Sequence, residues 1–406
     1  MVDLLTCLVR ILLASSGEGA HRIERTVHRA AGAFGRRTSL VLVPDGAVVT
    51  VGAGPGRMTT VTVRAVPEVF RLDQVVALKP LLADVCAGRV PVARARERLR
   101  DIEEQPAPYP WWWKLTGIVL FALGFAPLMQ PTWYEIGSTA VLAVLAAALA
   151  VAADRSPRLA LLLPLVAATT VSVVTLEVFA RDGAHGGPVL LMLPALFFFV
   201  PGDYLSAAAG ELGAGLMTTG AIRLVYAVFL LVQLYVGVLL GVAVTGSSTR
   251  RLFDVAAASD LPRWALFCGW IVFTAGTVLA FAIPLRLLPM LLLLVYVTVG
   301  VQSLVTKAAG ETAGTFTAAV VLAAVTTVLD RRPSMPARLV LLLPGFFTLT
   351  VGSLGMRGLT TLAGGHVIAG FTDLLKLVTV VTAIALGLMV GATLTARTNG
   401  LARDRV

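Results

Sequence analysis

Charge is what this 406-residue sequence has least of: Asp, Glu, Lys and Arg make up 14% of it, against 57% hydrophobic residues and a mean hydropathy of +0.86. A water-soluble fold of this length cannot bury so much apolar surface, so the bilayer is its solvent. Cysteine is also scarce. Cys7, Cys86 and Cys268 have no metal-ligand spacing, which excludes a cysteine zinc site and a disulfide scaffold and leaves reduced, structural thiols. The four histidines, His21, His28, His185 and His366, are scattered; His21 and His28 share a helical face, which reads as solvated rather than metal-binding. HExxH, GxSxG, Walker A and CxxC signatures are missing, and the Gly52–Gly56 run is a hairpin turn rather than a dinucleotide fingerprint. No enzyme activity, cofactor or metal is therefore expected. The apolar run Leu4–Ala14 is broken by Arg10 and followed by a basic helix, so no cleaved signal peptide is expected either.

The charge that exists is unevenly placed. Residues 1–112 hold 26 charged residues and the remaining 294 hold only 30. The net charge of +10 does not indicate nucleic acid, because the cations beyond the first part sit in short connections between apolar runs, where a membrane protein needs orienting charges. Within the first part, Leu4, Leu8, Ile11 and Leu12, then Ile23, Val27, Ala30 and Phe34, recur at helical spacing. Glu18–Arg22 and Glu24–His28 form i,i+4 pairs on the solvated face. Short β-type runs follow at 39–43, 47–51 and 59–66, divided by Pro44-Asp45-Gly46 and the Gly52–Gly56 turn. Helical stretches at 68–87 and 92–104 lead into a linker with Pro106, Pro108 and Pro110. Residues 1–110 thus read as a small cytoplasmic α/β domain.

Ten apolar stretches follow, near 113–130, 134–153, 158–178, 188–205, 221–245, 264–283, 286–305, 312–329, 338–356 and 370–396. Trp111, Trp112, Trp113 and Lys114 form an interfacial anchor at the first entry. Arginines favour the connections on the side of the N-terminal domain, Arg155, Arg158, Arg331, Arg332 and Arg338 among them, which sets both termini in the cytoplasm.

Sliding the chain against itself by 150 residues, without a gap, aligns Leu193-Pro194 with Leu343-Pro344, and Gly202, Gly220, Gly237 and Gly241 with Gly352, Gly370, Gly387 and Gly391. Five spans are repeated, at 111–246 and 247–406. An odd number reverses the entry side of the second copy, so the expected fold is a polytopic α-helical membrane protein built as a 5+5 inverted repeat, the architecture of secondary transporters.

In such folds, Gly/Pro-interrupted segments that recur in both halves mark the solute path. Here they are Phe197 to Gly220, containing Pro201, Gly202, Asp203, Glu211, Thr218, Thr219 and Gly220, and Phe346 to Gly370, containing Gly352 and Ser353. Ionisable groups in or beside spans need a partner, water or a role. Asp203 and Glu211 are the candidates for proton exchange. Arg223 and Asp373 occupy equivalent positions with opposite charge, which allows a pair across the repeat interface, with an interfacial anchor as the equal alternative for Arg223; Asp373 and Lys376, one turn apart, allow a local pair instead. Glu177 and Glu311 lie near span ends, where solvation suffices.

The stretch Leu12 to Arg25, containing Gly17, Arg22-Ile23-Glu24, resembles the N-terminal motif of the threonine/serine exporter family, with Ile23 where Val is usual. Val200-Pro201-Gly202, Glu211-Leu212 and Thr219-Gly220-Ala221-Ile222-Arg223 are similar to that family's Pro-Gly, Asp-Leu and Ser-Gly-x-x-Arg pattern, with Glu211 in place of Asp. The resemblance implies proton-driven efflux of threonine and serine across a bacterial inner membrane. It marks Gly17, Arg22, Glu24, Pro201, Gly202, Glu211, Gly220 and Arg223 as important. Separately from the resemblance, Gly17, Arg22 and Glu24 are the candidates for a cytoplasmic gate formed by the N-terminal domain, with a role in assembly alone as the alternative. A related branch exports small dicarboxylates, in which Arg223 and Arg357 would bind the carboxylates. A membrane-anchored sensor or enzyme acting through the N-terminal domain is the reading from another class.

Overall fold

The computed structural model describes residues 2–14, 20–43, 46–54, 57–64, 71–180, 187–213, 215–249, 252, 261–332, 335–349 and 367–395. The first part opens with helices α1 (Val2–Ala14) and α2 (Ala20–Ala33). A three-stranded antiparallel meander follows, β1 (Thr38–Val43), β2 (Gly46–Gly54) and β3 (Arg57–Arg64), and then α3 (Leu72–Cys86) and α4 (Val92–Glu104). Strand alternation decides which face is covered: Leu40, Val49, Val51 and Val63 are buried, whereas Val41 and Val48 are exposed. The buried face lies under α1 and α2, whose Leu4, Leu8, Leu12, Ile23 and Val27 complete one hydrophobic cluster with Leu78 and Leu99. Cys7 sits in that cluster beside Glu103; burial first, then the Glu103 carboxylate, pushes its thiol up to about 11.

A second hydrophobic cluster is built from the apolar helices. Among the described residues eight helices are long and apolar enough to cross a membrane. They are α5 (Trp111–Met129), α6 (Trp133–Ala153), α7 (Pro157–Val174, continued by a π turn over Thr175–Phe179), α10 (Met217–Val244), α11 (Arg263–Ala280), α12 (Leu288–Ala309), α13 (Glu311–Asp330) and α15 (Val367–Thr395). The fourth and ninth apolar stretches are not long helices. They give the short helices α8 (Pro188–Leu196) and α14 (Arg338–Phe347), and after α8 comes α9 (Gly202–Gly213). Proline is the physical reason α8 stops early. Pro194 has no N–H for the Leu190 carbonyl, and the chain passes through a tight 3-10 turn at Phe197–Phe199 into extended backbone at Val200 before Pro201.

Glycine sets how the long helices meet. A Cβ on Gly124 would run into the backbone of Phe273, one on Gly117 into Ala280, and one on Gly276 into Phe121, so α5 and α11 approach backbone to backbone. The pairs 117 with 280 and 124 with 273 run in opposite chain directions, so the two helices are antiparallel. On α10, a Cβ at Gly237 would come within 2.6 Å of the Leu165 carbonyl of α7; on α15, one at Gly387 would come within 2.6 Å of the Phe316 carbonyl of α13. The start residues of α8 and α14, and of α10 and α15, are 150 positions apart.

The first part touches the ends of the membrane helices. Leu72 N–H donates to the Phe281 carbonyl at 3.3 Å and Tyr109 hydroxyl to the Ile283 carbonyl at 3.0 Å. Lys79 reaches Asp330 Oδ1 at 3.0 Å. At the entry to α5, Trp111 and Trp112 are exposed and Lys114 pairs with Asp154 at 2.6 Å.

Candidate functional site

The two short helices converge. Gln130, at the C-terminal end of α5, donates to the Leu190 carbonyl near the start of α8, while Phe125, further back along α5, stacks on Phe197 at its end with centroids 4.0 Å apart. So α8 runs from the C-terminal end of α5 towards its middle. From the opposite end, α14 starts where Arg338 N–H donates to Asp330 Oδ1 at 3.1 Å, beside α3, and finishes with Phe347 5.3 Å from the Phe121 ring. Phe121, Phe125, Phe197, Phe273, Phe281 and Phe347 form one aromatic cluster where α5 crosses α11, and Phe197 and Phe347 meet edge to face with centroids 6.3 Å apart. The Phe197-Phe198-Phe199 run was visible in the sequence, but the convergence depends on tertiary contacts and was not.

After the break, α9 folds back on α10. Gly215 takes φ +80°, which lets a tight turn form, with Leu216 N–H donating to the Glu211 carbonyl at 2.9 Å. Thr219, Gly220, Arg223 and Ala227 then lie on the α10 stripe that faces inward. Gly220 is required there, because a Cβ would sit 2.7 Å from Leu212 of α9. That closeness brings Arg223 Nε within 3.4 Å of Glu211 Oε2, and both side chains are buried. Removing either charge alone would take away a neighbouring opposite charge in a low-dielectric setting, a costly change for buried ion pairs. The acid and Gly-x-x-Arg elements of the sequence thus meet as one constellation. Of the hydroxyls, Thr219 is buried and donates to the Leu216 carbonyl at 3.3 Å, and Thr218 is exposed.

The other sequence candidates separate. Pro201 and Gly202 are buried at the break. Asp203 lies on α9, its side chain outside the described residues, as are Gly17, Gly352, Ser353 and the Arg22 side chain. Glu24 pairs with His28 across one turn of α2 at 3.7 Å, a surface contact far along the chain from the break. Asp373 is half-buried and Lys376 exposed on α15, which packs against α9.

A polar knot near the start of α8 was not singled out from sequence. Gln130 is buried; its Nε2 donates to Thr139 Oγ1 at 2.6 Å and to the Leu190 carbonyl at 3.1 Å, the acceptor that Pro194 releases from the helix ladder. Beside it Glu135 is buried as the acceptor of a capping box, taking the Thr132 N–H at 2.8 Å. A glutamine just ahead of Pro131 at the end of an apolar run was the available signal.

A family model described as "Putative threonine/serine exporter" matches residues 5–245. A curated relative from Mycobacterium tuberculosis (strain H37Rv), named "Probable threonine/serine exporter", is 26% identical over 274 residues, which is 64% of this chain and 49% of the relative. The chain therefore spans about half the length of that relative. No solved structure matches. The match over more than half of the chain, on a polypeptide with eight membrane-length apolar helices, makes this a multi-pass membrane protein that belongs to the threonine/serine exporter family.

Proposed function

We propose that the chain is a secondary exporter of threonine and serine in a bacterial cytoplasmic membrane, coupled to the proton gradient and working by alternating access. The observation that carries this reading is the meeting of α8 and α14, from opposite ends of α5, at the Phe197–Phe347 contact. Both short helices present their C-terminal, partially negative ends to the centre, and α9 begins beside them with its partially positive N-terminus. That arrangement suits a zwitterion: helix C-termini for the ammonium and a helix N-terminus for the carboxylate. The aromatic cluster bars the middle, so passage requires the two halves to rock about it.

Residues 1–110 form the cytoplasmic domain in this reading, and 111–246 and 247–406 the two inverted five-span repeats, with both termini inside. The antiparallel contact of α5 with α11 supports the inversion, since equivalent helices of opposite entry must run in opposite directions. Glu211 is the proton-exchanging carboxylate: it is buried, stands at the far end of α9 from the break, and its charge is balanced by Arg223, which a proton can replace. The same ion pair disfavours the dicarboxylate reading, because the Arg223 guanidinium already holds a carboxylate.

The test is efflux from energised cells preloaded with labelled threonine, serine or succinate, with and without a protonophore. Protonophore-sensitive efflux of the two amino acids is expected. Efflux of succinate alone would transfer the protein to the dicarboxylate branch, and no efflux of any solute would favour a sensor anchored by its spans.

A further inference from the structure

At the junction between the first part and the membrane helices lies a cleft of about 600 Å³, walled by α1, α2, α3 and the connection between α13 and α14. The size falls within the range of small-molecule sites. Its charges are unequal. The Lys79 ammonium is fully engaged, with Asp330 Oδ1 at 3.0 Å, the Asp330 carbonyl at 2.6 Å and the Pro336 carbonyl at 3.2 Å, so Lys79 and Asp330 neutralise each other. Arg25 and Arg29, one helical turn apart on α2, line the same cleft, and neither has a carboxylate partner among the described residues. Two guanidinium groups on adjacent turns repel unless an anion lies between them, and their planar forks match a phosphate group. Leu78 and Leu82 supply apolar wall, and Cys86 closes the side near Arg29.

We propose that this cleft binds an organic phosphate, held by Arg25 and Arg29 with its carbon body against Leu78 and Leu82. Occupancy would bridge α2 to the α13–α14 connection. That connection already carries a mechanical link: Asp330 receives Lys79 of α3 and also the Arg338 N–H that opens α14. A bound phosphate therefore stiffens the support of the second short helix and offers cytoplasmic control of it. Phosphate in this position has two sources, a soluble organic phosphate and a phospholipid headgroup.

Cys86 provides a reporter that reads binding alone, whatever the membrane helices carry. Burial pushes its thiol pKa up and the Arg29 charge acts against that shift, which places the guanidinium close enough for a ligand there to shield the sulfur. In the full chain with Cys7→Ser and Cys268→Ser, reconstituted in phosphatidylcholine nanodiscs, glycerol 3-phosphate is expected to slow maleimide labelling of Cys86 saturably, and glycerol to leave it unchanged. Arg25→Gln with Arg29→Gln should abolish the protection, whereas Arg94→Gln with Arg98→Gln, the same charge loss on exposed positions of α4, should retain it. Protection that appears only in discs containing phosphatidylglycerol, and is lost in the same Arg25/Arg29 variant, assigns the headgroup as the source. If the double variant does not fold, each single Gln variant should raise the half-saturating concentration about fivefold or more. Labelling that neither probe slows, or protection unchanged by the Arg25 and Arg29 substitutions, overturns the proposal.

Discussion

The first and second halves of the membrane region share their close contacts and differ in their polar groups. Gly237 and Gly241 press α10 onto α7, and Gly387 and Gly391, 150 positions later, press α15 onto α13. Pro194 and Pro344 lie inside the two short helices. Yet where the first half has Glu211, Arg223 and Gln130, the same offset gives Thr361, Asp373 and Ala280. Backbone approach is therefore present twice, whereas the acid–arginine sequence pattern occurs in the first half only. The difference separates scaffold, which both halves need to pack in lipid, from chemistry, which a single solute path needs once.

The largest effect should come from the contact that joins the halves. Gly124→Leu places a side chain into the Phe273 backbone, and we expect loss of a monodisperse species by fluorescence-detected size exclusion; a normal profile would break the α5–α11 account. Next is the buried charge pair of the first half. Arg223→Ala removes the guanidinium that faces buried Glu211 and should cost about 3–5 kcal/mol, seen as a lower melting temperature, whereas Glu211→Gln combined with Arg223→Met should melt nearer the wild type. Smaller and matched losses, about 1–3 kcal/mol each, are expected for Gly241→Ala and Gly391→Ala, because each Cβ meets a helix wall. Clearly unequal melting shifts would contradict equivalent packing in the two seams. The smallest effect on folding belongs to Thr218→Ala with Thr219→Ala, which removes only one modest hydrogen bond to the Leu216 carbonyl; its expected consequence is weaker discrimination of threonine over alanine in competition assays.

Much of this organisation was legible in the sequence because it follows from local chemistry. The stripe Leu4, Leu8, Leu12, Ile23 and Val27 is the buried one, and the strand runs at 39–43 and 47–51 fall within β1 and β2. Pro194, Pro201 and Gly202 announced an interrupted fourth span, since proline lacks the donor that a helix needs. The limits were tertiary. Equivalence of position suggested Asp373 as a partner for Arg223, whereas the turn at Gly215 folds α9 back and places Glu211 beside it. Residues 12 apart in a chain meet only if the turn between them is tight, and one glycine in a glycine-rich run does not declare that. The Phe121, Phe197 and Phe347 convergence and the Gln130 knot likewise join three elements each, a level that periodicity does not reach.

The central claim, that the repeated helix scaffold carries its transport chemistry in the buried Glu211–Arg223 pair, is tested most directly by labelled-threonine efflux from preloaded proteoliposomes under an imposed proton gradient. The comparison is between wild type and the Glu211→Gln, Arg223→Met double variant. A folded double variant that has lost gradient-driven efflux is the predicted result. Gradient-driven efflux at the wild-type rate in that variant would contradict the claim.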